Sequence, residues 1–145
     1  MTTIHRSALV PYSVHEMYKL VSDIPAYPQF LPWCGGARVL SRDGEQMEAA
    51  IDIAYHGVHK SFTTRNRLIE AQSIEMNLLH GPFKHLKGLW KFSELDPASC
   101  KVTLDMEFDF SNRLLSLAVG PVFTQIANGM VDSFLKRAID VYGRR

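Results

Sequence analysis

From Leu114 to Tyr142 apolar residues return every three or four positions: Phe123, Ala127, Met130, Phe134, Ala138 and Val141, widened by Ile126, Val131, Leu135 and Ile139. This spacing predicts one long amphipathic helix with a broad buried face, broken near Gly120-Pro121. Gln125, Asn128, Asp132, Lys136 and Asp140 fall on the wet side. Asp132 and Lys136 are spaced for a helical ion pair, but an exposed pair contributes only about 0.3–0.5 kcal/mol. Packing must hold this helix, so the rest of the chain has to supply a surface for it.

That surface is legible as period-two alternation from Cys34 to Phe110. Gly35-Gly36 opens a strand over Ala37 to Ser41, and Asp43-Gly44 is the strongest hairpin signal in the chain. Met47, Ala49, Ile51, Ile53 and Tyr55 alternate with Glu48, Ala50, Asp52 and Ala54, and His56-Gly57 turns the chain again. Val58 to Ile69 sets Phe62, Thr64 and Leu68 against Ser61, Thr63, Arg65 and Arg67. A strand over Ile74 to Leu79 ends at Gly81-Pro82-Phe83, the run Lys84-His85-Leu86-Lys87 leads to a strand from Leu89 to Leu95, and Asp96-Pro97 makes a turn. Last, Val102, Leu104, Met106, Phe108 and Phe110 point one way while Lys101, Thr103, Asp105, Glu107 and Asp109 point the other.

Ahead of this block, Thr3 to Val10 reads as a strand stopped by Pro11. Ser13 and Glu16 form a capping box opening a short helix with Val14, Met17, Tyr18 and Val21 inward. Asp23 and Pro25 then predict a single-turn helix ending before Pro32. Its aromatics, Tyr27, Phe30 and Trp33, suit either a lid over an apolar site or a plug at the end of the core, and packing is the commoner use of such a cluster.

One strand, two short helices, six antiparallel strands and a long final helix make an α+β order without parallel crossovers. The apolar face of the sheet needs cover, and only the C-terminal helix is long enough to give it. A twisted sheet curled round one helix leaves a tapering gap that is either packed or hollow. With 145 residues, 46% hydrophobic and 21% charged, the chain has the size of one domain, residues 1–145. Cys34 and Cys100 lie in no ligand spacing and read as reduced packing thiols. The N-terminus lacks the apolar run of a signal peptide, and Leu114 to Phe123 is too short to span a bilayer, so a soluble cytoplasmic protein without a transmembrane segment is expected.

No nucleophile elbow, phosphate loop or acidic metal cluster is present in the sequence. His56 and His59 stand three apart on strand or turn, which points them to opposite faces, so no metal site and no catalytic residues are expected. The net charge of +1 gives no general bias toward polyanions. Between His59 and Lys91, however, Lys60, Arg65, Arg67, Lys84, Lys87 and Lys91 face only Glu70 and Glu75, whereas Asp96 to Asp109 is acidic. One basic and one acidic region are expected outside the sheet, and the basic one is suited to RNA phosphates.

Ala8-Leu9-Val10-Pro11-Tyr12-Ser13, Met17-Tyr18-x-Leu20-Val21-x-Asp23, Tyr27-Pro28-Gln29-Phe30-Leu31-Pro32-x-Cys34, Phe62-Thr63-Thr64-Arg65-Asn66, Gly81-Pro82-Phe83-Lys84 and Trp90-Lys91-Phe92 together resemble the RatA/coenzyme Q-binding family of the START-like, polyketide cyclase/dehydrase superfamily. The resemblance covers nearly the whole chain, and the proline-aromatic stretch before Cys34 is its most specific part. It implies the helix-grip fold, a curved antiparallel sheet of about seven strands round a long C-terminal helix. It implies two functions. One is binding of a ubiquinone, isoprenoid or other lipid in the cavity, with no other cofactor. The other is binding of the large ribosomal subunit, which blocks its joining to the small one and inhibits translation. A cyclase/aromatase activity is a third, for which the sequence shows no polar constellation.

A non-enzymatic binder of a hydrophobic small molecule would use Phe30, Trp90, Phe92, Met106, Phe108, Phe123, Met130 and Phe134 as cavity walls. A ribosome-directed inhibitor would use Arg65, Arg67, Lys84, Lys87 and Lys91. The two are compatible, one using the inside and the other the outside of the same sheet, and neither involves DNA.

Overall fold

The computed structural model describes residues 1–145. Strand β1 (Thr2–Val10) is followed by helix α1 (Val14–Ser22) and a 3-10 helix (Ile24–Gln29). Six strands follow, β2 (Cys34–Asp43), β3 (Gln46–Tyr55), β4 (Val58–Ile69), β5 (Ser73–His80), β6 (Phe83–Asp96) and β7 (Ser99–Phe110), and helix α2 (Arg113–Tyr142) ends the chain. All seven strands form one antiparallel sheet in the order β1-β7-β6-β5-β4-β3-β2. β1 and β2, neighbours in sequence, are therefore the two edges, and the short helices carry the chain across the whole width of the sheet.

Local chemistry explains most of the element ends. Ser13 Oγ accepts from the Glu16 N–H at 3.1 Å and Glu16 Oε1 accepts from the Ser13 N–H at 3.0 Å, so the expected capping box starts α1. The β3–β4 turn holds His56 at φ 48° and Gly57 at φ 77°, the left-handed pair that a tight hairpin needs. Bulges in β2, β5 and β6 interrupt the ladder and add curvature. The inner face is apolar as the alternation requires: Phe62 and Leu68 on β4, Leu86, Trp90 and Phe92 on β6, and Val102, Leu104 and Phe108 on β7 are all buried.

Helix α2 lies across β1, β7 and β4 and against α1. It buries Val119, Phe123, Ile126, Ala127, Val131, Phe134 and Ala138. The expected break at Gly120-Pro121 does not occur, and the helix runs unbroken from Arg113. Pro121 lacks the N–H that would bond the Leu117 carbonyl, and both residues lie on the exposed side of the helix. Asn112 caps this helix by accepting from the Leu115 N–H at 2.9 Å.

Three further expectations are corrected. Val141 is 48% exposed, whereas Ala138, one turn earlier, is fully buried. Asp132 and Lys136 form no ion pair, since both lie in water that competes for their charges. β6 begins at Phe83 and not near Leu89: a bulge at Lys84 shifts the alternation, which resumes with Leu86 inward and Lys87 outward, so period two does not run through the basic stretch.

Candidate functional site

Between the sheet and α2 lies a cavity bounded by β3 to β7, the C-terminal end of α1, the 3-10 helix and the middle of α2. Its lining is apolar apart from Ser22, Tyr27, Thr64 and Asn66 as side-chain oxygen carriers and the indole nitrogens of Trp33 and Trp90, and it contains no charged residue. The free volume is about 60 Å³. An apolar cavity of about 150 Å³ takes up benzene, so a ring enters here only if side chains move. Met76, Met106 and Met130, half-buried on three elements of the lining, are the side chains built to do so. Gly88 of β6 sits between two of them: a Cβ there would lie 2.5 Å from the Met76 methyl and 3.5 Å from Met106 Cγ.

Of the eight wall residues named from the sequence, Trp90, Met106, Phe123 and Met130 line the cavity. The other four lie in the packing around it. Phe134, fully buried, meets Tyr27, Phe30 and Trp90 edge-on at 5.5, 5.3 and 5.3 Å. Phe30 is half-buried beneath the Arg137 guanidinium at 4.9 Å. Phe92 packs edge-on to Tyr18, and Phe108 packs edge-on to Phe110 and Phe123. Tyr27 and Trp33 are buried at the end of the cavity, and the Tyr27 hydroxyl donates to the Val21 carbonyl, so this aromatic cluster closes that end. Desolvation drives the Tyr27 pKa well above the usual phenol value.

Thr64 and Asn66 are the two polar residues buried in the protein, and both face the cavity. The Thr64 hydroxyl donates to Asn66 Oδ1 at 2.8 Å. Sequence reasoning placed Thr64 on the inner face and passed over Asn66 as a site residue. The signal was available, since the alternation that turns Phe62, Thr64 and Leu68 inward also turns Asn66 inward.

On the outer face, Arg65 and Arg67 of β4 and Lys84, Lys87 and Lys91 of β6 are exposed. The expected division into a basic and an acidic region is not what the register produces. Arg65 stands between Glu48 and Asn77, Arg67 between Gln46 and Glu75, and Lys87 between Asn77 and Glu107. β7, which carries the acids, is hydrogen-bonded to β6, so acids and bases interleave. Arg65 pairs with Glu48 at 3.1 Å and His85 with Glu107 at 3.0 Å, while His5 pairs with Asp105. Arg67, Lys84, Lys87 and Lys91 form no ion pair. No three His, Cys, Asp or Glu side chains converge as metal ligands would. Desolvation raises both thiols, Cys100 up to about 11 and Cys34 in the same direction.

Residues 10–135 match the family model described as polyketide cyclase/dehydrase and lipid transport. The chain belongs to this family. Within it, the chain is 50% identical to the ribosome association toxin RatA of Escherichia coli, over all of this chain and 92% of that protein. It is 27% identical to a mitochondrial coenzyme Q-binding protein homologue of Xenopus laevis, over 96% of this chain and 59% of that protein. The Zhui aromatase/cyclase of a Streptomyces species superposes with a TM-score of 0.84 over 99% of both chains at 15% identity, a likeness of fold alone. A START superfamily protein of Mycobacterium smegmatis shares the same arrangement of seven curved antiparallel strands round a C-terminal helix, with a TM-score of 0.67 over 92% of both chains at 24% identity, again a likeness of fold.

Proposed function

We propose that this protein associates with the ribosome, on its large subunit, and inhibits translation in the cytoplasm without catalysing a reaction. The observation that carries this reading is identity of 50% over the whole chain with a protein named for ribosome association and toxicity. Half of all side chains kept over the full length includes surfaces as well as core. Arg67, Lys84, Lys87 and Lys91, exposed and without ion pairs, are the groups free to meet phosphates, while Arg65 has to leave Glu48 first. The test is co-sedimentation with isolated large subunits over a range of salt. Saturable binding that weakens steeply with salt is the expected result. Replacing Lys84, Lys87 and Lys91 by glutamate should lower the slope of log K against log salt by about one per lost phosphate contact. Binding unaffected by the triple change removes this face from the interface, and no binding at low salt overturns the ribosomal reading.

A second reading concerns the interior: the cavity takes a neutral apolar ligand of ubiquinone, isoprenoid or lipid type, contacted by Trp90, Met106, Phe123 and Met130. It is favoured by a lining of aromatics and half-buried methionines that carries no charge. Tyr27 is the one acid among its side-chain oxygens, and its raised pKa leaves it protonated near neutral pH, so the lining offers no general base. Organic extraction of the purified protein should yield a quinone or lipid, or added quinone should raise its melting temperature. Failure of both sinks this reading and leaves the first intact.

A further inference from the structure

Resting on the second reading, that the cavity holds an apolar ligand, we infer that Asn66 is its specificity-determining residue and that the ligand is a neutral molecule with a carbonyl-type oxygen. The lining holds few hydrogen-bonding groups, and most are matched within the protein. Each hydroxyl there gives its proton to a protein oxygen: Ser22 to the Lys19 carbonyl, Tyr27 to the Val21 carbonyl and Thr64 to Asn66 Oδ1. The Thr64 bond also orients the Asn66 amide, because it occupies the oxygen and turns the NH2 group away from Thr64.

Asn66 is 2% exposed and Trp90 1% exposed, yet the amide nitrogen of one and the indole nitrogen of the other donate to no protein atom. No fully buried side-chain nitrogen in the protein lacks a partner, so these two retain some accessible surface, and both residues line the cavity between sheet and helix. Asn66 shares a cross-strand row with Met76 of β5 and Gly88 of β6. Gly88 adds no side chain to that row, which keeps room beside the amide for the tip of Met76 or for whatever displaces it.

Unpaired N–H donors in a low-dielectric site call for an acceptor. A hydrocarbon would leave both without one. A carboxylate or phosphate would supply acceptors but bring a charge into a lining with no cation to balance it. A neutral ketone, ester or similar carbonyl compound meets both requirements. A purely structural polar pair would instead be closed on itself, with no donor facing free space.

The test uses the full-length, nitrogen-15-labelled protein titrated with acetophenone, ethylbenzene and benzoate and followed by NMR. Acetophenone and ethylbenzene should perturb the backbone amides lining the cavity, and benzoate should not. The Asn66 side-chain amide and the Trp90 indole resonances should move with acetophenone and stay nearly still with ethylbenzene, a readout needing no variant. In Asn66→Leu the preference for acetophenone over ethylbenzene should fall about tenfold, the factor one neutral hydrogen bond supplies. If neither neutral probe binds, the cavity reading fails and this inference with it. If both bind but the Asn66 amide does not respond, or the preference survives in Asn66→Leu, the cavity reading stands and the inference is overturned. Benzoate binding as tightly as acetophenone overturns it as well.

Discussion

Phe134→Ala separates packed core from cavity wall. Phe134 is 0% exposed, does not border the cavity, and meets three aromatic rings edge-on at 5.3–5.5 Å. Truncating a buried phenylalanine costs about 3–5 kcal/mol, from lost transfer energy and from the void left behind. The three edge-on pairs, at about 0.5–1.5 kcal/mol each beyond area, place this site in the upper part of that range. At about 2.1 cal/mol/K of unfolding entropy per residue, a chain of this length loses about 13 °C of Tm for about 4 kcal/mol. Met130→Ala is the control: Met130 is half-buried on the cavity, and its loss should cost less than about 2 kcal/mol, the lower bound for a buried methionine. Urea unfolding followed by tryptophan fluorescence measures both, since Trp33 and Trp90 are buried beside these sites. A Phe134→Ala loss below about 2 kcal/mol, or equal losses in the two variants, refutes the division into packed core and deformable wall.

Two glycines should behave oppositely. Gly81→Ala is expected to lose about 1–3 kcal/mol, because φ is 154° and the new methyl would lie 2.7 Å from Phe62 Cβ. Gly88→Ala should lose less than about 1 kcal/mol, since the obstructing atom is the free end of Met76, and equal losses would contradict this. Both thiols, raised by desolvation, should resist a thiol-specific disulfide reagent near neutral pH until the protein unfolds, and rapid native labelling of either would count against their burial. Glu16 is held below the usual carboxylate range mainly by the hydrogen bond from Arg145 and next by that from the Ser13 N–H. Its ionised form therefore stabilises the fold above the ordinary carboxylate range, and that contribution is lost as pH falls through the depressed value. Glu16→Gln keeps the capping box and removes the charge, so its Tm should trail that of the unmodified protein near neutral pH and converge with it in strong acid. A gap that persists in acid would assign the effect to something other than ionisation.

Much of the fold was written in local pattern. The alternation in Val102 to Phe110, the Ser13–Glu16 capping box, the Asp43-Gly44 hairpin and the three-and-four spacing of α2 each depend on residues near one another in sequence, and all recur in the structure. The unbroken helix at Pro121 was not legible, because which side of the helix carries the proline and the unbonded Leu117 carbonyl is set by the strands it packs on. The interleaving of Lys87 with Glu107 and of Arg65 with Glu48 was hidden for a related reason, since register joins residues from strands that sequence alone does not place side by side. Local pattern suffices for an α+β chain with one long helix and for the sidedness of most strand residues, Asn66 included. That the enclosed space is about 60 Å³, edged by half-buried methionines and lined by Asn66, follows from the packing of distant elements. Periodicity states which way a side chain points, whereas the volume left between facing side chains depends on how far curvature brings the sheet toward the helix.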